Sequence, residues 1–208
     1  MRDYIGSMKR VLRVSRTRLF LLATALLLTA GLAGCANGSL AVTGQILYRT
    51  ISDPAIAPGD VIPRPQGDVV LTISGRLGPA AGGDGVLELD MATLEALGLV
   101  EMQVDDQIAE GRTVVFQGVL LLRLLEAAQV EAGARVLTMT ALNDYAVEIP
   151  VADAASYPVL IATRADGERM SVEHYGPLRI IYPFGLLPLS RATFEPRSIW
   201  QLYLIRAG

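Results

Sequence analysis

The chain has 208 residues, 51 % of them hydrophobic, with 18 basic and 21 acidic side chains. Six bases and one acid fall in the first 34 residues, so the remainder carries 12 arginines against 20 acids, a net charge near −8. That balance excludes a nucleic-acid partner, which needs a basic surface to displace counterions from phosphates. It also leaves few side chains for covalent chemistry. The only lysine is Lys9, the only histidine His174 and the only cysteine Cys35. A Cys/His zinc site is excluded, and a Ser-His-Asp triad is possible only around His174.

In chain order, residues 1–18 are basic and residues 19–30 (LFLLATALLLTA) are apolar and uncharged. A positive segment, a short apolar run and small residues at its end form a secretory signal. Gly31-Leu32-Ala33-Gly34-Cys35 resembles a bacterial lipobox. The expectation is a signal peptide over 1–34, cleavage before Cys35 and lipidation of its thiol. Several acyl chains, each CH₂ contributing about 0.8 kcal/mol when buried, hold such a domain at a membrane. The expected location is the cell envelope, anchored by lipid and facing the periplasm or extracytoplasmic space. Residues 35–67 contain Pro54, Pro58, Pro63 and Pro65 among Gly, Ser and Asp, and read as the lipidated cysteine followed by a flexible tether. Tyr48 and Ile51 are its candidates for docking on the domain.

The domain is expected over 68–208. Val69–Ile73 and Val86–Leu89 read as strands around a Gly-rich loop. Asp90 then caps a helix over Met91–Leu97, closed by a left-handed Gly98. Arg112–Phe116 reads as a strand broken by Gly118, and Leu120–Ala128 as the strongest helix, with its leucines on one face. Val136–Leu142 and Tyr145–Ile149 read as a hairpin turning at Asn143-Asp144. A short helix is expected after Pro150. Val159–Thr163 turns back at Asp166-Gly167, and Leu178–Tyr182 and Ile199–Ile205 complete the strands. Short strands mixed with a few short helices indicate a single compact α+β domain. No Gly-rich phosphate loop follows a strand.

Six segments in order carry a resemblance. Phe116-Gln117-Gly118-Val119-Leu120-Leu121-Leu122-Arg123-Leu124-Leu125, Ala141-Leu142-Asn143-Asp144-Tyr145, Val147-Glu148-Ile149-Pro150, Asp166-Gly167-Glu168, His174-Tyr175-Gly176-Pro177-Leu178-Arg179 and Arg197-Ser198-Ile199 are similar to landmarks of the sulfite-oxidase-type molybdopterin-binding domain. The resemblance spans about residues 68–206. It implies a molybdopterin cofactor and places His174, Arg179, Arg197 and Ser198 at its pocket, with Asn143 and Tyr145 on the rim. For each there is a plainer alternative. His174 suits a loop contact, Arg179 an internal acid, Arg197-Ser198 a solvated loop, and Asn143-Asp144-Tyr145 a hairpin turn. Trp200 suits packing in the core or at a rim better than a stacking platform.

Two departures bear on function. The family's thiolate ligand to molybdenum is expected upstream of Phe116, where Leu99–Arg112 has no cysteine; Asp105-Asp106 lie near that position, where a carboxylate could hold a hard, oxidised metal, but they suit a solvated loop better. Trp200 stands where the resemblance implies a lysine. No catalytic residue and no metal ligand is assigned. The expectation is a lipid-anchored binding or accessory module without a bound redox centre, its partners the membrane and a small anionic ligand or an envelope protein. Its alternative is a molybdopterin-dependent oxidoreductase that holds the cofactor without a protein thiolate. The sequence leaves open whether the chain is an enzyme.

Overall fold

A computed structural model describes residues 41–42, 45–79 and 85–208. The signal segment and Cys35 lie outside these residues. Among the described residues no helix is long and apolar enough to cross a membrane.

The strands are β1 Ala41–Val42, β2 Gln45–Ile46, β3 Arg49–Thr50, β4 Val69–Gly75, β5 Val86–Asp90, β6 Val100–Asp106, β7 Arg112–Leu120, β8 Val136–Ala141, β9 Ala146–Pro150, β10 Leu160–Ala165, β11 Glu168–Arg169, β12 Arg179–Ile181 and β13 Leu202–Ala207. The helices are α1 Met91–Glu95, α2 Leu121–Ala127, α3 Val151–Ser156 and α4 Arg191–Phe194. One sheet runs β11-β10-β7-β6-β3, with β12 also on β10. The other runs β5-β4-β13-β8-β9. All pairings within them are antiparallel except that of β13 with β4. This is the expected α+β architecture.

Local chemistry accounts for the element ends. The Asp90 carboxylate accepts from the Thr93 backbone N–H at 2.8 Å and so caps α1. It also accepts from the N–H groups of Gln66 and Gly67, tying the end of the expected tether to the first helix. These backbone donors, Thr93 first, hold Asp90 well below the usual carboxylate range. Gly98 has φ +93° and ends the helix region as expected. The β8–β9 hairpin turns with Asp144 at φ +63°, and the β10–β11 hairpin with Asp166 and Gly167 both at positive φ.

Three expectations change. Gly118 does not break a strand: β7 runs through it from Arg112 to Leu120. A Cβ there would overlap the Ile161 carbonyl, so the glycine lets β10 approach β7. Asp105 and Asp106 end a strand over residues 100–106 and do not form a loop; Val100, Met102 and Val104 are buried on one side of that strand. Part of the stretch read as a flexible tether is built into the domain. Arg49–Thr50 pairs with Val100–Glu101, Leu47 and Tyr48 are buried, and the N–H groups of Ala55 and Ile56 donate to the Ala96 carbonyl. Tyr48 is the residue that docks, whereas Ile51 stays exposed.

The main core lies between the five-stranded sheet, α1 and α2, and includes Leu71, Ile73, Leu94, Leu121, Leu124, Leu137 and Ile205. A second cluster covers the opposite face of the other sheet through Met102, Phe116, Leu160 and Ile181. β12 and the segment leading into β13 cross between them: the Ile180 N–H donates to Ile199 and the Leu202 N–H to Leu178.

Candidate functional site

The crossing of β12 with residues 198–201 builds two adjoining depressions. The first, about 280 Å³, is lined by Ala141, Asn143, Tyr145, Pro196, Ile199 and Trp200 together with Glu195 and Ser198. The second, about 230 Å³, shares Glu195, Ser198 and Trp200 and extends over Asp105, Asp106, Arg179 and Tyr182. Both are at or below the small end of ordinary ligand pockets, roughly 300–1,000 Å³.

Arg179 sits at the base of the second depression with only 5 % of its surface exposed. Its Nη1 and Nη2 donate to both oxygens of Asp106, at 3.2 and 2.9 Å. The guanidinium is stacked between Phe116 at 5.1 Å and Tyr175 at 5.9 Å. Its Nε is buried without an acceptor. The neighbouring Asp105 accepts from the Thr113 hydroxyl, and among the described residues no cationic group pairs with it. Its backbone N–H donates to the Phe184 carbonyl, which fixes the end of β6 against the depression.

Arg197 is likewise neutralised from within. Its Nη1 donates to Asp153 Oδ2 at 2.7 Å, and the same oxygen accepts from the Tyr182 hydroxyl at 2.7 Å. Burial, and then the bond to Asp153, push the Tyr182 hydroxyl far above the usual phenol range, so it remains a donor. The Ser198 hydroxyl donates to the Phe194 carbonyl at 3.1 Å and lines both depressions. Asn143 Oδ1 accepts from the Tyr145 N–H at 3.2 Å, within the hairpin turn, while both side chains line the first depression.

Five of the six expected site residues therefore gather around the two depressions: Arg179, Ser198, Asn143 and Tyr145 line them, and Arg197 lies beside Ser198. His174 does not line either depression. It is exposed in a short 3-10 turn, Val172–His174, with Nδ1 at 3.0 Å from the Ser171 hydroxyl. Asp106, expected in a solvated loop, and Asp153 are the site members whose pairing with an arginine the sequence did not reveal. For Asp106 a signal was present in the alternation Val100, Met102, Val104, which marks a strand leading to it. Asp153 follows two residues after an ordinary helix start and carries no such mark.

A molybdopterin is an anionic pterin phosphate that holds its metal through soft sulfur. The described residues contain no thiol, because the single cysteine is Cys35. Both guanidinium groups at the site already hold a carboxylate, and Asp105 adds a charge of the wrong sign. Among the described residues there is no cluster of three or more His, Cys, Asp or Glu side chains suited to a metal. Among the described residues, the side chains at the site do not fit the group.

Residues 90–186 match the sequence profile of the oxidoreductase molybdopterin binding domain. Among solved structures, the crystal structure of the sulfane dehydrogenase SoxCD from Paracoccus pantotrophus matches over 71 % of this chain, at 15 % identity and a TM-score of 0.50. The chain spans 40 % of the length of that one. No curated protein matches the sequence. The fold matches that of the sulfite-oxidase-type molybdopterin-binding domain.

Proposed function

With a sulfite-oxidase-type molybdopterin-binding domain as its fold, we propose that this chain is a non-redox binding or accessory module, exported and held at a membrane by lipid on Cys35. One observation carries the reading: Arg179 and Arg197, placed by family resemblance at the cofactor, each hold an internal carboxylate, Asp106 and Asp153. A buried guanidinium needs one counter-charge, and here the chain supplies it. Leu99–Arg112 offers no thiolate for a metal. Of the two partners expected, a small anion and an envelope protein, the sign of the charge around the depressions supports the protein.

A second reading, a molybdopterin-dependent oxidoreductase without a protein thiolate, is favoured by the buried Arg179 Nε, a donor still without an acceptor. Molybdenum and pterin analysis of the protein purified from its native host separates the two. A binding module contains neither in stoichiometric amount; one molybdenum per chain overturns that reading. Intact mass of the N-terminus tests the anchor. An N-terminal residue other than an acylated Cys35 overturns the anchoring and leaves the argument about the depressions standing.

A further inference from the structure

Eleven large hydrophobic side chains are exposed among the described residues, and five of them, Leu142, Tyr145, Val172, Tyr175 and Trp200, are gathered at one end of the fold. Three separate segments bring them there: the β8–β9 turn, the turn around His174, and the lead-in to β13. One residue ties the three together. The Gln201 N–H donates to the Tyr175 carbonyl, its Nε2 donates to the Val172 carbonyl at 2.8 Å, and its own carbonyl accepts from the Leu142 N–H. Gln201 (φ +54°) and Tyr175 (φ +65°) both hold left-handed conformations, which cost a non-glycine residue about 1 kcal/mol or more. The Tyr175 and Trp200 rings meet edge to face at 5.7 Å. Trp200 is nevertheless 42 % exposed and Tyr145 50 %. Bound edges and open faces describe a platform and not a failed core.

The charges around the platform have one sign. Arg179, Arg191 and Arg197 are paired with Asp106, Glu195 and Asp153. Asp105 and Asp144 have no cationic side chain within ion-pair distance among the described residues, and Glu173 has only the neighbouring His174 beside it. An apolar, aromatic face with uncompensated carboxylates at its border is complementary to a cation with a flat or aliphatic body. Arginine fits best, since its guanidinium stacks on aromatic faces and loses less hydration than an ammonium group.

We propose that this end of the domain is a docking surface for a basic protein segment, whose arginine side chain enters the 280 Å³ depression between Tyr145 and Trp200. The proposal rests on the binding-module reading and names its partner.

Trp200 is the only tryptophan of the chain, so its emission reports the site alone. The experiment titrates the full chain with a blocked hexapeptide alternating arginine and alanine, and with its glutamate counterpart. The expected result is a saturable shift of the emission with the arginine peptide, none with the glutamate peptide, and affinity lowered at least fivefold by 0.5 M salt as a rough guide. Tyr145→Ala, and separately Leu142→Ser, should weaken binding by about tenfold or more with circular dichroism unchanged; two variants guard against one misfolding. No shift with the arginine peptide, an equal shift with the glutamate peptide, or undiminished binding by both folded variants overturns the proposal. So does a dimer in sedimentation that Tyr145→Ala abolishes, since a second copy then owns the surface. Molybdenum in the native protein would remove the binding-module reading without altering these titrations, so the two failures are distinguishable.

Discussion

Two clusters of arginine and carboxylate stand on different parts of the same six-stranded sheet, and they solve the charge problem in opposite ways. On one, Glu95 at the end of α1 takes two guanidinium groups, Arg164 at 2.6 Å and Arg169 at 2.7 Å, together with the Thr163 hydroxyl. On the other, Arg179 meets the single carboxylate of Asp106, with Asp105 left over beside it. The first cluster carries an excess of positive charge. The second, where family resemblance places an anionic cofactor, carries an excess of negative charge. A cationic side chain in a sequence motif therefore says nothing about a free positive charge until its partner is known.

The largest expected effect tests the closed pair. The Arg179 and Asp106 side chains are 6 % and 11 % exposed, so Asp106→Asn leaves a buried guanidinium without its counter-charge. The expected loss is about 3 kcal/mol or more in urea unfolding, and the combined Arg179→Met, Asp106→Leu variant should recover most of it. If Asp106→Asn is instead near neutral, solvent reaches the pair and the contrast between the clusters fails.

Glu95→Gln breaks the open cluster. Burial raises the Glu95 carboxyl, but its bonds to Arg169 and Arg164 outweigh that and leave it below the ordinary carboxylate value. A carboxyl depressed in the folded state stabilises the fold above its unfolded pKa, and that contribution fades as pH falls through the folded one. The variant should be about 2 kcal/mol less stable than the native chain at pH 7. The difference should shrink below about pH 4.5, where the unfolded carboxyl titrates. A gap unchanged down to pH 3 would mean that shape, and not charge, sets the role of Glu95.

Tyr182→Phe asks how far the second pair near the site, Arg197 and Asp153, depends on its neutral partner. Removing one donor from a buried carboxylate that keeps its guanidinium should cost about 1–2 kcal/mol. Arg169→Ala is the smallest change. Arg169 is 46 % exposed and Arg164 stays on Glu95, so the loss should be below about 1 kcal/mol and should vanish in high salt.

What the sequence made legible was local. The Asp90 cap, the left-handed Gly98, the leucine face of α2 and the turns at Asp144 and Asp166-Gly167 each depend on residues within a few positions of one another. The ordered run of short motifs also identified the fold. The site depended on pairings that local patterns do not contain. Asp106 and Arg179 are 73 positions apart, Asp153 and Arg197 are 44 apart, and which acid meets which arginine is decided by sheet order. Gly118 failed for a related reason: its function is to admit Ile161 from another strand, which looks like a break when only neighbours are read. Packing in the core or at a rim is what the sequence suggests for Trp200, and its edge-on contact with Tyr175 agrees with a rim, but Leu142 and Tyr145 beside it come from a segment more than 50 residues away.

The order of strands in the five-stranded sheet has a consequence for how the domain is made. β13 is the last strand in chain order yet lies at the centre, joined in parallel to β4 and antiparallel to β8. Until residues 202–207 arrive, the β4–β5 and β8–β9 hairpins each present an unpaired edge with no partner between them. A growing chain thus cannot close this sheet piece by piece from its N-terminal side. Assembly waits for the final strand to thread between two waiting hairpins, a long-range step that makes folding late and concerted. The Trp200–Gln201 platform, which leads directly into that strand, comes into being at the same moment as the fold itself.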